Sequence, residues 1–549
     1  MLYATLPSSI DAACPMKATD VFTNVRKSFK SQPRRSQVSI FSRVSSQRLF
    51  AGKKMGVHKR LAFSSKDAAG KEARKAQHVA CDGSRCPFAR VALGTVESKF
   101  DAEYSSDAVW TINNRRYDLS SFVDQHPAGK LAILLGRGRN CTELFESYHS
   151  LAGDAPRKIL ERYYVGDAQP GDPDHEQLFD WDSTPFYDAC KQRVIEHFAD
   201  GRSYKAPPGK WLWLAAATSA FVISLHGFLT GCWWSLIALP VSYWLGPSSL
   251  LHDGMHWSLT SNARLNVVLA YLGSCHMPVL AWLHQHVIGH HSYTNIHLRD
   301  PDLEHFNGKG EASVLEMGGD GGGEAFYGFR LHPKDSWRPT YAGWKGWLAV
   351  MAPLTTVFPS LFESQDMIVH KNFMGSCQWS AADERLYTLA RSVILGVAFV
   401  APLALFWSTP LKALAFATAP FLLHGAIYYV FSQVSHVNDD CLEQHAPMGE
   451  WAEMQVRHAH DWGSEAPLWT GLSIGLNNQI IHHMFPQVDS SHYSSLRGVI
   501  RETCEEFDIP YKLHPNLWTA LRAHVNVIYQ LNEKEINAPT SAVVSSGVP

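Results

Sequence analysis

Gly475-Leu-Asn-Asn-Gln479-Ile-Ile-His482-His483-Met-Phe-Pro486 closes on two adjacent histidines, with a glutamine four residues before the second. In a helix Gln479 and His483 share a face and His482 points about 100° round it, so the three side chains could converge on one ion. Adjacent histidines are also common in surface loops, so this stretch acquires meaning from two clusters upstream. His252-Asp-Gly-Met-His256 sets histidines at i and i+4. Trp282-Leu-His284-Gln-His286-Val-Ile-Gly-His290-His291 repeats that spacing at His286 and His290, with His291 adjoining. Imidazole binds iron, zinc and copper alike, so ligand type does not choose the metal. Ligand number bears on it, because about eight ligands exceed what one four-coordinate ion takes and argue for two metals.

The clusters lie beside apolar runs. Residues 211–229 carry no charge, and 233–251 form a second run interrupted by Pro240 and Pro247. A second pair occupies 387–407 and 411–432 around Ser408-Thr409-Pro410. Each is about long enough to cross a ~30 Å hydrocarbon core. Two such hairpins with brief turns put the segment 105–170, all three histidine clusters and the C-terminal tail on one face. That face holds most of the basic residues and is expected to be cytosolic or stromal. The run 347–362 holds two prolines and reads as interfacial, and His424 inside the fourth run is either buried in the bundle or functional. The apolar stretch 265–283 reads as one packed or half-inserted helix, and Gly318–Gly323 as a flexible loop without the ending of a phosphate loop.

Composition limits the remaining possibilities. Forty-nine basic against 51 acidic residues give no global attraction to nucleic acid. Ten scattered cysteines without a CxxC pair support neither a disulfide framework nor a zinc ribbon. Residues 1–65 are basic and serine-rich, with acids only at Asp11 and Asp20, a composition expected to be disordered and to serve as an organelle transit peptide, plastid before mitochondrion. Residues 66–104 read as linker.

Between 105 and 170 stands Trp110-Thr-Ile-Asn-Asn-Arg-Arg-Tyr117-Asp118-Leu119, then His126-Pro127-Ala128-Gly129, then Phe145-Glu-Ser-Tyr148-His149-Ser150. The order predicts a strand over 109–112 and a helix capped near Ser120. These pieces resemble the cytochrome b5 domain, whose HPGG signature is HPAG here. The resemblance implies that His126 and His149 ligate the iron of haem b from both sides, and a haem so ligated passes electrons rather than activating O2. Ala128 would cost about 1 kcal/mol if the turn needed a positive φ there.

HxxxH, HxxxHH and QxxHH in this order, around two pairs of apolar runs and behind a cytochrome b5-like segment, resemble the front-end acyl desaturases, membrane di-iron enzymes. The likeness extends over about 105–515 and includes Trp451–Gln455 and Arg299–Asp302. It implies a mainly α fold: a polytopic membrane helical bundle with a histidine-box di-iron cap over 200–515, preceded by a small α+β haem domain and followed by a tail at 516–549. It implies as ligands of two iron ions His252, His256, His286, His290, His291, Gln479, His482 and His483, with His436 as an additional one and His284 beside them. The family pattern GGLNxQxEHH has Ile474 and Ile481 here at its first glycine and its glutamate. His458 and His460 fall outside the pattern and read as an exposed pair in a solvated loop. Trp257 and Trp282 are expected either to line the substrate entrance or to anchor the chain at the membrane interface.

The activity implied is O2-dependent insertion of a cis double bond near the carboxyl end of a polyunsaturated acyl chain, at Δ4, Δ5 or Δ6 with a lean to Δ4. The partners implied are membrane lipid acyl chains, galactolipids among them if the location is the plastid, and an electron donor such as ferredoxin or cytochrome b5 reductase. The endoplasmic reticulum is the alternative location. The alternatives are a Δ8 sphingolipid long-chain-base desaturase, a hydroxylase on the same scaffold, and a membrane electron carrier without catalysis.

Overall fold

The computed structural model describes residues 109–175, 177–274, 277–297, 299–304, 331–334, 381–442, 448–463 and 466–533. The basic segment 1–65, the linker 66–104, the loop 318–323 and the run 347–362 lie outside the described residues. The described chain is mainly helical.

Residues 109–170 fold around a four-stranded sheet of order β3-β1-β2-β4, with β1 Trp110–Ile112, β2 Arg115–Tyr117, β3 Arg139–Asn140 and β4 Tyr164–Asp167. Asn113 and Asn114 close the β1–β2 hairpin with φ of 51° and 58°, the two-residue turn whose twist matches paired strands and which asparagine tolerates. Trp110, Ile112, Tyr117, Leu119, Ile133 and Leu160 form the core. The helix expected to be capped near Ser120 is a bend instead. The Asp118 carboxylate accepts the Ser120 N–H at 3.0 Å, and only a short 3-10 turn at Val123–Gln125 follows. Ala128 sits at φ −82° and Gly129 takes the positive angle, +82°, so alanine carries no backbone penalty.

Among the described residues three helices are long and apolar enough to cross a membrane: Pro208–Leu229, Ala381–Leu405 and Pro410–Gln433. Their outer faces expose Leu212, Val222, Ile223, Leu389, Val393, Val400 and Leu411, a surface suited to lipid rather than water. The run expected at 233–251 differs from these three. Helix Ser235–Tyr243 continues through a π turn, Trp244–Ser248, into Ser249–Met255, and it packs between Pro208–Leu229 and Pro410–Gln433. Pro247 lies within the π turn and has no N–H to donate, which favours the widened turn. His424 is buried in the bundle, its ring 4.7 Å from that of Tyr243.

The single helix expected over 265–283 is broken. Asn262 caps Ala263–Gly273 by accepting the Leu265 N–H, and the chain resumes helix only at Val279. Gly273 marks where this helix crosses the preceding one, since a methyl there would run into the Pro247 carbonyl and the Leu251 amide. Residues 517–533, expected to belong to a tail, form a helix that buries Ala520, Ile528 and Leu531. Within it the His524 Nδ1–H donates to the Val437 carbonyl at 2.6 Å. Helix Gln479–Met484 lies in the core with Tyr187, Trp451, Phe485 and Ile500, and the Tyr187 hydroxyl donates to the Met484 carbonyl at 3.0 Å.

Gly273→Ala should therefore lower stability by about 1–3 kcal/mol through overpacking. Gly471→Ala, where an added methyl meets open space, should stay within about 0.5 kcal/mol of the parent. Thermal unfolding of both variants in detergent checks the contrast.

Candidate metal centre

Helix Ser249–Met255 and its C-terminal residue carry the first histidine pair. Their i, i+4 spacing turns His252 and His256 to one side, with ring centroids 4.7 Å apart. The second cluster departs from the expected geometry. Residues Leu283–His290 form a π-helix, in which the repeat lengthens from i+4 to i+5. His286 therefore shares a face with His291, their Nε2 atoms 3.1 Å apart, while His290 turns away. His284 is buried but belongs to neither group described below.

The third cluster divides as well. His482 Nε2 lies 3.2 Å from His252 Nε2 and 3.1 Å from His291 Nε2, and His256 Nε2 lies 3.1 Å from His286 Nε2. His483 instead joins His290 and His436, whose ligand atoms gather within 4.8 Å. The Gln479 amide nitrogen lies 2.9 Å from His436 Nε2 and 3.1 Å from His483 Nε2. Its carbonyl oxygen is buried without a partner and would take the same place if the amide turned over. The expectation that Gln479, His482 and His483 converge on one ion is thus corrected. Adjacent residues on a short helix face different directions, and a group of imidazoles lies on each side.

The fit to metal rests on these contacts. Metal–imidazole bonds of about 2.1 Å place neighbouring ligand nitrogens roughly 3.0–3.4 Å apart. The Nε2 contacts of 3.1–3.2 Å match that spacing, whereas unprotonated nitrogens facing one another without a cation would repel. Burial pushes the His256, His286, His291, His482 and His483 pKa values well below 6.5, and neighbouring imidazoles lower them further. Burial, then His290, brings His436 down to about 3. All are neutral at pH 7, with lone pairs available.

At His252, His290, His436, His482 and His483 the outer ring nitrogen has a partner that fixes the tautomer, an arrangement common around metal-ligating histidines, whereas His291 Nδ1 is buried without one. Nδ1–H of His252 donates to Asp253 at 2.9 Å, and Asp253 in turn pairs with Lys210 at 2.9 Å. Nδ1–H of His290 donates to Asp300 at 3.0 Å, that of His436 to the His458 carbonyl at 3.1 Å, and that of His482 to the Tyr493 oxygen at 3.2 Å. Nδ1–H of His483 meets the Gln455 oxygen at 3.0 Å. Sequence reasoning assigned none of these partners a role. Asp253, between two histidines, Asp300, nine residues after His291, and Gln455, at the end of the Trp451–Gln455 match, gave a usable signal; Tyr493 gave none. His458 and His460, expected in a solvated loop, are buried, because helix Trp451–Arg457 delivers them into the core beside the third cluster. His458 donates to the Thr294 carbonyl at 2.7 Å, and His460 to that of Asp439 at 2.9 Å.

Ile474 sits at φ +54°, a conformation that costs a β-branched residue about 1–3 kcal/mol. Packing against Trp244 and Leu476 holds it there. With Leu251, Trp282 and Tyr428 these side chains wall a space of about 30 Å³ that touches His252, His286, His290 and Gln479. Trp282 thus lines the inner site, its ring 4.3 Å from that of His286, while Trp257 faces a different cavity.

That second cavity, about 470 Å³, holds His126 and His149. Their ring centroids are 6.1 Å apart, the separation that two metal–imidazole bonds of about 2 Å on opposite sides of one iron produce. His149 donates through Nδ1 to the Phe145 carbonyl at 2.8 Å, leaving Nε2 as its ligand atom. Leu119, Phe122, Ile133, Leu144 and Leu160 supply apolar walls for a flat macrocycle, and Lys205, Trp257, Ala263 and Asn266 close the cavity from the side of the membrane helices. Burial, then the neighbouring His149, lowers His126 to about 4. The residues present fit a bis-histidine haem.

If the two imidazole groups hold separate ions, His482→Ala and His483→Ala should each lower non-haem iron from two per chain toward one, and the double variant should retain almost none. Were both histidines ligands of one ion, the double variant would keep the other, so total iron less the haem content separates the cases. Acid should act on the metal-free protein in one direction. The unfolded chain protonates these histidines near pH 6.5 while the folded chain keeps them neutral, so unfolding takes up protons below that pH. The unfolding midpoint of the metal-free protein should fall steadily as pH drops from 7 to 5.

Comparison with known proteins agrees with this geometry. Residues 231–515 match the fatty acid desaturase family, and residues 96–169 match the cytochrome b5-like haem/steroid binding domain. An acyl-lipid (8-3)-desaturase of Physcomitrium patens is 29% identical over 76% of this chain and 87% of its own length. Delta(5) fatty acid desaturase A of Dictyostelium discoideum is 28% identical over 78% and 91%, and an acyl-lipid omega-13 desaturase of Chlamydomonas reinhardtii is 26% identical over 77% and 93%. The cytochrome b5-like domain implies haem and the desaturase family implies a di-iron centre, for which the imidazole groups provide ligands. The chain belongs to the fatty acid desaturase family, as an oxidoreductase of its cytochrome b5-fused, front-end type.

Proposed function

We propose that this protein introduces a cis double bond near the carboxyl end of a polyunsaturated acyl chain carried by a membrane lipid, at Δ4, Δ5 or Δ6. In this reading His252, His256, His286, His291 and His482 hold one iron, and His290, His436, His483 and Gln479 hold the other. His126 and His149 hold haem b. The observation that carries the reading is the pair of adjoining imidazole groups that border an apolar space at the inner ends of helices suited to lipid. Removing hydrogens from unactivated methylenes exceeds what side chains can do, and the two irons with O2 supply that oxidising power when bound.

The chain's own residues determine what reaches them. Trp244, Leu251, Trp282, Tyr428, Ile474 and Leu476 bound a space of about 30 Å³, comparable to one methylene or one water. Their apolar surfaces exclude bulk water and hold the acyl chain beside His252, His286, His290 and Gln479. The carboxylates of Asp253 and Asp300 keep the protons of His252 and His290 on Nδ1, so Nε2 stays free toward the metals.

The relatives' names favour an acyl lipid over a sphingolipid base as substrate. On position, the Dictyostelium name favours Δ5, whereas Δ4 follows from reading residues 1–65 as a plastid transit peptide and the substrate as a galactolipid. The external electron donor is then ferredoxin in a plastid, or cytochrome b5 reductase at the endoplasmic reticulum.

Expression in yeast fed polyunsaturated acids of 18 to 22 carbons should yield a new double bond whose position mass spectrometry locates. A preparation with haem and iron present that leaves every acyl chain unchanged overturns the reading, and a new bond in the long-chain base would transfer it to sphingolipids. A fluorescent fusion of residues 1–100 tests the plastid location.

A further inference from the structure

Helix Thr142–Tyr148 delivers two neighbouring aromatic side chains to opposite tasks. His149, just beyond its end, turns into the haem cavity and is held there by the Phe145 carbonyl. Tyr148, about 100° away round the helix, points to the histidine clusters. Its ring lies nearly parallel to that of His256, centroids 6.2 Å apart and planes 14° apart, and meets Trp257 edge-on at 5.8 Å. Its hydroxyl oxygen lies 2.6 Å from His256 Nδ1. His256 presents Nε2 to His286, so Nδ1 carries the proton and donates it to the tyrosine oxygen. A haem-cavity histidine and a metal-cluster histidine are thus joined by one peptide link, one phenol ring and one short hydrogen bond.

We propose that Tyr148 is the bridging residue through which electrons pass, one at a time, from the haem held by His126 and His149 to the metal cluster that includes His256. The inference rests on the function proposed above. Conversion of a CH2–CH2 unit to CH=CH by one O2, giving two waters, consumes four electrons. The substrate supplies two of them with two hydrogens, and two electrons and two protons must come from elsewhere. Each of those two electrons oxidises ferrous haem to ferric, and an external one-electron donor reduces the haem again. Tyr148 is not itself oxidised. It supplies a hydrogen-bonded path from the His149 segment to His256, beside Trp257, which follows His256 in the chain and also lines the haem cavity.

Tyr148→Phe keeps the ring and removes the bridge. The test uses the full-length protein loaded with haem and iron, reduced without oxygen by dithionite, and then mixed with O2 and phospholipid vesicles containing the acyl chain identified in yeast. Haem absorbance follows reoxidation. The variant should reoxidise about 10–100-fold more slowly, the range in which losing a hydrogen-bond partner of a metal-ligating histidine lowers activity. Its haem content, haem midpoint potential and bound iron should match the parent. Reoxidation at the parental rate overturns the proposal, as does loss of iron in the variant, which would make Tyr148 a residue that retains metal rather than one that conducts. The underlying function is tested by the parent itself. Parental haem that reoxidises no faster than in His482→Ala sinks the desaturase reading, whereas a parent that forms the double bond keeps it standing whatever Tyr148→Phe does.

Discussion

Crowding uncharged imidazoles nitrogen to nitrogen, at 3.1 Å inside the protein, is the constraint on which the rest of this structure depends. Protonated rings could not share that volume, and neutral rings with the wrong tautomer would aim N–H groups at each other. Burial enforces neutrality, and at most of the rings an outer partner fixes the tautomer. The outer partners come from near and far: Asp253 beside its own histidine, Tyr493 from the helix after the third cluster, the His458 carbonyl from the end of the helix before it. Asp253 also has to be kept charged, and Lys210 at the start of the first membrane helix pairs with it in a buried setting. The membrane bundle and the metal centre are therefore one electrostatic unit.

Local helix geometry decides how the histidines are shared between the two groups. An α-helical repeat keeps His252 and His256 together. The π-helical repeat at Leu283–His290 pairs His286 with His291 and sends His290 across to His436 and His483. Widened turns cost backbone hydrogen-bond quality and persist where packing or function over-determines them. Here the widened segment is fully engaged, with Trp282 packed at a tilt against His286 and His290 tied to Asp300. Ile474 is a second strained position on the same wall, retained by its packing on Trp244 and Leu476.

The haem cavity is closed by residues from both halves of the chain. Lys205 donates to the Trp257 carbonyl at 2.8 Å and the Gln487 carbonyl at 3.1 Å, and its ammonium rests 4.4 Å from the Tyr204 ring centre. Burial lowers its pKa to about 8. This one side chain ties the segment after the first cluster to the segment after the third, at the edge of the cavity that contains His126 and His149. A fused electron carrier packed in this way raises the local concentration of reductant without diffusion, and the Tyr148–His256 contact lies inside that seam.

Residue types and spacing by themselves displayed the three histidine clusters and the apolar runs, because ligand chemistry and membrane length are written in short sequence windows, and the motifs so displayed carried the resemblance that implied the mainly helical class, the haem-type histidine pair and the ligand set. His126, His149, His252, His256, His286, His290, His291, His436, Gln479, His482 and His483 were all named on that basis. Tertiary structure alone decided which histidine stands with which. That partition depends on a π-helical repeat and on the orientation of a short helix, neither of which has a sequence period of its own. It also decided that His458 and His460 are buried, that residues 517–533 pack as a helix, and that Tyr148 meets His256. Such contacts join residues that are not neighbours in the chain, and the physical reason they stay illegible is that nothing in either local sequence encodes the distance between them.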